Sequence, residues 1–374
     1  MNSKYSDELI AKNNALLNKI TAVYAQASII PKDELAAIWR YAKISSIGAS
    51  TRIENALLTD SEISWIDTIL TSNGKSTAFN QNKSLIENKL SKDRERSIEE
   101  VAGCRNVLLS IYDNAKSFLP LRESDIRALH SELMLPFIKN RQLVGGYKKQ
   151  PNFVVEQNHD TGESSVVFKT ADAGPITQAA MSDLISWYNK EIEQNPRPLF
   201  IVCEFVYRFL AIHPFQDGNG RLGRALFLMG LLQCSQIALS TVAKFLAIDR
   251  QIERHKEEYY FALNACSKGQ FRQDPSDYKV HHFINFMLKM IEYSLDDIDY
   301  YRDRYQATIK LSTSALAVFD CFKANPETRL TTKKILELTS LPRRTITHSL
   351  KTLLDNQLIQ KYGQGAGVRY QLTF

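Results

Sequence analysis

Residues 201–212, IVCEFVYRFLAI, place apolar pairs at 201/202, 205/206 and 209/210. That four-residue recurrence predicts a helix and excludes a strand's period of two. ALFLMGLLQ, 225–233, is apolar almost throughout, the pattern of a helix buried at a domain centre. Between the two lies a polar, glycine-rich stretch, HPFQDGNGRLGR, 213–224, so the predicted order is helix, loop, helix, the second beginning near Arg221. Most of the remaining chain also reads helical, including IEEVAGCRNVLLSIYDNA at 98–115, with no internal repeat and no low-complexity tract.

The clearest strand signal is PNFVVEQNHDTGESSVVFKT, 151–170, where two β-rich runs flank an Asp-Thr-Gly turn. A lone hairpin is marginal in water, so this one must pack on the helices or wait for an extended chain to pair with its edge. A long helical stretch ending near DDIDYYRDRYQATIK leads to a last segment starting around Leu311. There LTTKKILELTSL and PRRTITHSLKTLLDNQ read as two helices joined by a short turn, and LIQKYGQGAGVRYQLTF as a Gly-turned hairpin. That order predicts a winged helix-turn-helix.

At 374 residues the chain is long enough for two or three domains with sizeable cores. The predicted division is an N-terminal helical region (1–97), a central core (98–300) and the final module (308–374). The N-terminus, MNSKYSDELIAKNN, has no apolar core, and no later run approaches the ~18 apolar residues of a membrane span. Five widely spaced cysteines without a C-x-x-C fit reduced core thiols, so a cytoplasmic location is expected.

The net charge of +6 adds more through its distribution than its size. From Thr308 to Phe374 there are ten Lys/Arg against four Asp/Glu, and the rest of the chain is balanced. In the second helix of this module, Ile346, Leu350 and Leu353 recur at core spacing, while Arg343, Arg344, Thr347, His348 and Lys351 take the other face. Pro342 suits its first turn. With Lys361 and Arg369 on the hairpin, this face could bind DNA phosphates. Winged helices also serve as dimer or protein docking modules, so the fold alone does not choose.

The central loop carries the chemistry. Gly218, Gly220 and Gly223 spell G-x-G-x-x-G, but a dinucleotide fingerprint needs a preceding strand and an acidic residue about 20 positions on. The preceding segment is helical, and no Asp or Glu occurs between Asp217 and Asp249. No Walker loop is present either. What remains is a phosphate cradle: glycines let backbone N–H groups approach an anion, and the following helix adds the positive end of its dipole. Arg221 and Arg224, three apart, fall on one face of the first turn and imply more than one phosphate group. Pro214 biases His213 away from helical dihedrals and so presents an imidazole suited to proton removal near neutrality. Asp217 supplies one hard oxygen, a common way to hold Mg2+ when substrate phosphates complete its shell, and no ligand interval suggests zinc.

The stretch resembles the signature of the Fic family, H-x-F-x-[DE]-G-N-G-R-x-x-R, at every defined position: His213, Phe215, Asp217, Gly218, Asn219, Gly220, Arg221 and Arg224. Looser likeness runs from about Glu99 through EEVAGCRNVL, LRESDIRALHSELM, GGYKK, the hairpin and IERHKEEYYFALN, roughly half the chain. The resemblance implies a mainly α fold: a Fic-type helical core with a β-hairpin flap, N-terminal helices and a C-terminal winged helix-turn-helix. It also implies transfer of AMP from ATP to a Ser, Thr or Tyr hydroxyl of a protein, itself included, with release of pyrophosphate. His213 would be the base and Asp217 the Mg2+ ligand. Gly218, Asn219 and Gly220 would form the anion hole, Arg221 and Arg224 would hold the outer phosphates, and Phe215 would anchor the loop. The hairpin would align the target by strand-like pairing, with Val154 and Val155 its candidate side chains. Arg254 and Tyr260 are candidates to reach the adenosine.

Many Fic proteins resemble one another in a second motif, [ST]-x-x-x-E-[GN], matched here by STRIEN, Ser50–Asn55. The resemblance implies that Glu54 pairs with Arg224 and blocks productive phosphate binding, with self-association as one means of control. Thr51-Arg52-Ile53-Glu54 is also the T-x-x-E of a helix-starting capping box, a purely structural alternative. Other readings stay open: a DNA-binding regulator using the core as a nucleotide sensor, removal of AMP from a modified target, or transfer of another phosphate-containing group.

Overall fold

The computed structural model describes residues 5–72, 75–91, 94–137, 144–157 and 164–374. The N-terminal region holds α1 (Asp7–Ala27), α2 (Lys32–Ile53), α3 (Asp60–Ile69), a two-residue strand pair β1 (Thr71–Ser72) and β2 (Lys75–Ser76), and α4 (Phe79–Leu90). Then come α5 (Glu95–Asn114), α6 (Glu123–Met134), the hairpin β3 (Phe153–Gln157) and β4 (Ser164–Lys169), α7 (Pro175–Gln194), α8 (Pro198–Ile212) and α9 (Asn219–Gln233). The short helices α10 (Ile237–Val242), α11 (Ile248–Arg254) and α12 (Lys256–Ala265) lead to the long α13 (His281–Ile309).

All of α8 and nearly all of α9 are buried, as their apolar runs predict, and the two pack on each other. The two charged residues of α8 are satisfied internally: Glu204 accepts from the Tyr5 hydroxyl at 3.3 Å, and the Arg208 guanidinium lies over Trp187. Helix α9 starts at Asn219, two residues earlier than the sequence predicts, because Gly218 takes the N-cap in a left-handed conformation (φ 81°). A side chain there would crowd Leu133 and Met134, so the position calls for glycine.

Helix α2 is the second central element, packed against α5, α11 and α13. Its buried stretch, Ala42–Thr51, is rich in small residues such as Ser45, Ser46, Gly48, Ala49 and Ser50. Such residues admit close helix approach but give no hydrophobic period, so the sequence does not mark this helix as central. The capping-box alternative for Thr51–Glu54 is corrected here. The segment ends α2: Glu54 is the C-cap, and the Thr51 hydroxyl donates back to the Ile47 carbonyl at 2.9 Å. The capping box of the region is the next T-x-x-E, Thr59 with Glu62, which starts α3.

The final module comprises α14 (Thr313–Ala324), α15 (Thr332–Thr339), α16 (Arg343–Asp355) and the antiparallel pair β5 (Ile359–Tyr362) and β6 (Arg369–Leu372). Val318, Phe322, Ile335, Ile346, Leu350 and Leu353 give it a hydrophobic cluster of its own. Among the described residues no helix is long and apolar enough to cross a membrane, and the five cysteines are free thiols.

Candidate active site

Helix α8 ends at His213, where the following Pro214 prevents continuation and the histidine adopts a left-handed conformation (φ 53°, ψ 58°). Its Nδ1 lies 3.2 Å from the Leu210 carbonyl. A carbonyl only accepts, so the ring proton belongs on Nδ1, and Nε2 keeps its lone pair for a proton from elsewhere. Burial, reinforced by the charge of Lys148, pushes the imidazole down to about 4, against the opposing pull of the Leu210 bond, Glu54 and Asp217. The group is therefore a neutral base at physiological pH.

Two side chains hold the loop after it. The Asn219 amide accepts from the Phe215 N–H at 2.9 Å and donates to the Phe215 carbonyl at 2.7 Å, stapling residues 215–219 into a tight turn. His130 on α6 stacks on the fully buried Phe215 with ring centroids 3.8 Å apart. Its Nδ1 accepts from the Gly145 N–H at 3.0 Å, which places the ring proton on Nε2, 3.0 Å from the Asp217 carbonyl. Burial lowers His130 to about 4 and keeps it neutral in this role.

Among the described residues no side chain caps α9, so the N–H groups of Asn219 and Gly220 are open, and Gly218, Asn219 and Gly220 line a cavity of about 330 Å³ with His213, Asp217 and Arg224. Phe153, Val154, Tyr207, Tyr260 and Leu263 add apolar walls. The Glu54 carboxylate enters this cavity and lies so close to Gly220 that a Cβ on the glycine would collide with it. Arg224 binds the same end of α2 three times: Nε to the Ser50 hydroxyl at 2.9 Å, and one terminal nitrogen to the Ser50 carbonyl at 2.8 Å and to Glu54 at 3.0 Å. Burial opposes ionisation of Glu54, but the charges of Arg224 and Arg221 prevail and hold it below the ordinary carboxylate range. Asp249 of α11 lies 3.4 Å from the Arg224 Nε and is pushed up by burial.

The two arginines thus divide. Arg224 faces the cavity, whereas Arg221 packs beneath the loop, 3.3 Å from Asp217, 3.8 Å from Glu100 and over the ring of Phe137. Arg221 is buried, and its Nε and one terminal nitrogen find no hydrogen-bond acceptor among the described residues. Tyr260 and Val154 reach the cavity lining, and Val155 pairs with Val166 across the hairpin. Arg254 is not in the lining; its guanidinium lies 3.9 Å from Asp297. The Asp-Thr-Gly turn of the hairpin falls outside the described residues.

Among the described residues no three His, Cys, Asp or Glu side chains form a metal-binding group. Asp217, partly exposed, uses one oxygen for the Gly218 N–H and Arg221, and its second oxygen takes no hydrogen bond among the described residues. One hard oxygen fits a divalent ion that arrives with phosphates and draws most of its shell from them.

Sequence reasoning did not single out Lys148, Asn152, His130 or Asp249 as site residues. They stand 36 to 83 positions from His213, at no diagnostic spacing, and only folding brings them in.

Residues 120–231 match the model of the Fic/DOC family, so the chain contains a Fic/DOC family domain. It is 24% identical over 155 residues to the protein adenylyltransferase fic-1 of Caenorhabditis elegans, a match covering 41% of this chain and a quarter of that relative's length. The fold is shared with a Fic family protein from Desulfovibrio desulfuricans G20 (TM-score 0.53, 21% identity, all of this chain and 98% of that one). A Fic domain containing signalling protein from Bacteroides thetaiotaomicron VPI-5482 aligns with 77% of this chain and 96% of its own (TM-score 0.56, 22% identity).

Proposed function

We propose that the protein is a protein adenylyltransferase, transferring AMP from ATP to a Ser, Thr or Tyr hydroxyl and releasing pyrophosphate, and that Glu54 restrains it. The observation that carries this reading is one cavity holding a neutral, correctly tautomeric His213, an open helix N-terminus and a guanidinium that the protein's own Glu54 engages from within the cavity. His213 Nε2 would take the proton of the target hydroxyl as its oxygen attacks the α-phosphorus. The N–H groups of Asn219 and Gly220 would hold phosphate oxygens, and Arg224, released from Glu54, would take an outer phosphate. Arg221, with open donors beneath the loop, would support Asp217 and the phosphates from that side. Asp217 would hold Mg2+, which when bound neutralises phosphate charge.

The hairpin supports strand-like docking of a target. The N–H and carbonyl of Lys169 on β4 are occupied by Gly269 and Phe271, whereas β3 has no second strand partner among the described residues and places Phe153 and Val154 in the cavity wall.

The direct test is incubation with ATP labelled at the α- or the γ-phosphate. Label on protein from the α-position alone supports adenylyl transfer; label only from the γ-position overturns it. The pH dependence of the Glu54→Gly variant gives an independent check. His213 titrates at about 4 rather than 6.5, so the base stays deprotonated as pH falls through 6.5. The transfer rate is expected to hold between pH 8 and 5.5 and to fall only toward pH 4; an acid limb centred at 6.5 would contradict a buried neutral base.

A second reading concerns the final module. Arg343, Arg344, Lys351, Lys361 and Arg369 are exposed. The described ion pairs of this module are Lys323–Asp320, Lys334–Glu337 and Lys89–Glu327, which leave those five cations without a carboxylate partner. We propose that this face binds the phosphates of duplex DNA as a winged helix does. Binding should weaken with salt at a log–log slope of about −4, and Arg343→Ala with Arg344→Ala should flatten the slope by about 2. No binding at low salt would remove the reading.

A further inference from the structure

We infer that Lys148 is a positioning residue, clamping the target-aligning hairpin to the chain at the catalytic histidine, so that strand and base move as one body. The inference rests on the adenylyl-transfer reading for its functional meaning, though the clamp itself is a matter of geometry. Lys148 is 3% exposed, and its ammonium donates to three acceptors: the Asn152 side-chain oxygen at 2.8 Å, the Thr170 hydroxyl at 2.9 Å and the Ile212 carbonyl at 3.0 Å. These partners belong to three places that must stay in register. Asn152 immediately precedes β3, Thr170 immediately follows β4, and Ile212 is the last helical residue before His213.

Cross-links among the partners close the arrangement. The Lys148 N–H donates to the Pro214 carbonyl at 2.8 Å, the Asn152 amide donates to the Phe215 carbonyl at 2.7 Å, and the Thr170 hydroxyl donates to the Asn152 carbonyl at 2.8 Å. Both feet of the hairpin are therefore bolted to residues 212–215: by the ammonium at Ile212, by the Lys148 N–H at Pro214 and by the Asn152 amide at Phe215.

All three protons of the ammonium are used, and no carboxylate lies within ion-pair distance among the described residues. A cation buried on neutral acceptors is costly unless every donor is satisfied. Loss of one acceptor, or of the amine, should therefore loosen the whole joint rather than one contact. Phe153 and Val154, one and two residues beyond Asn152, line the cavity. A target strand paired along β3 would present its hydroxyl at a distance from His213 set by this joint, and a shift of about 1 Å there costs on the order of 100-fold in rate.

The test uses the full chain in the Glu54→Gly background, with Lys148→Met, Lys148→Arg and Thr170→Val added singly. Self-modification is measured with α-labelled ATP, and ATP binding by calorimetry. Amide hydrogen exchange of residues 152–156 is followed in the same proteins. Lys148→Met should cut self-modification at least tenfold while the ATP dissociation constant stays within twofold, and exchange should quicken at 152–156 but not in α8. Lys148→Arg, which keeps charge and donors, should stay within about threefold of its parent. Thr170→Val keeps the ammonium and removes one acceptor, so it should fall between the two, and it decides the matter if Lys148→Met does not fold. Unchanged labelling and unchanged exchange in either neutral variant overturns the clamp, as does a loss of ATP binding that matches the loss of labelling. If the Glu54→Gly parent itself transfers no label, the adenylyl-transfer reading has failed, and the exchange measurement still decides the clamp.

Discussion

Glu54→Gly is expected to raise incorporation of α-labelled AMP by about 10- to 100-fold over the parent chain. The estimate follows from the contact it removes. Glu54 holds Arg224 at 3.0 Å and lies against Gly220, so one carboxylate both occupies part of the anion cradle and neutralises the cavity's buried guanidinium. A hydrogen bond to a charged group contributes about 1.5–3 kcal/mol, and each 1.4 kcal/mol is a factor of ten, which gives the stated range. The variant should fold, because the rest of the helix end keeps its fastenings. Arg52 pairs with Glu253 at 2.7 Å and Asp60 at 2.8 Å, Lys256 donates to the Ile53 carbonyl at 2.9 Å, and Ser50 retains Arg224. Retained folding with no rise in labelling would leave Glu54 a structural partner of Arg224 and nothing more.

His213→Ala, placed in the Glu54→Gly background, is expected to lower transfer by about 100- to 10,000-fold, the usual contribution of a positioned general base. Binding of ATP should change little, since the proposed phosphate donors are the N–H groups of Asn219 and Gly220 and the Arg224 guanidinium, not the imidazole. The split between rate and binding is the informative part. A fall of less than fivefold would mean that the hydroxyl loses its proton elsewhere and that the Nδ1–Leu210 bond merely ends a helix. A parallel loss of ATP binding would mean that the ring shapes the pocket.

The two expectations differ in how far the sequence could carry them. The loop geometry around His213 was legible because its neighbours are local: His213, Pro214 and the glycines after them fix a helix end, a turn and a helix start within six residues, and chain geometry does the rest. The pairing of Glu54 with Arg224 was not legible from residues alone. Ser50–Asn55 lies about 170 positions from Arg224 and reads equally as a T-x-x-E capping box. Only the observed end of α2 at Ile53, with the capping box falling instead to Thr59 and Glu62, removes that alternative. The division of Arg221 and Arg224 was hidden as well. Helical spacing puts them on one face of a turn, but packing against α2 and α5 sends one guanidinium into the cavity and the other under the loop.

By itself, then, the sequence determined the local objects: which segments are helical, where the hairpin falls, where the glycine loop interrupts two apolar helices, and where the final module concentrates its positive charge. Those follow from periodicity, turn chemistry and composition, which act over a few residues. Only the tertiary structure decided which of these objects meet. It buried α2 beside α9 through small residues that carry no hydrophobic period, brought Glu54 and Asp249 together at Arg224, and set Lys148 between the hairpin and the end of the helix at His213. The reason is physical. Contacts between distant segments are fixed by shape and by the need of buried polar groups for partners, and neither is written in the spacing of residues along the chain.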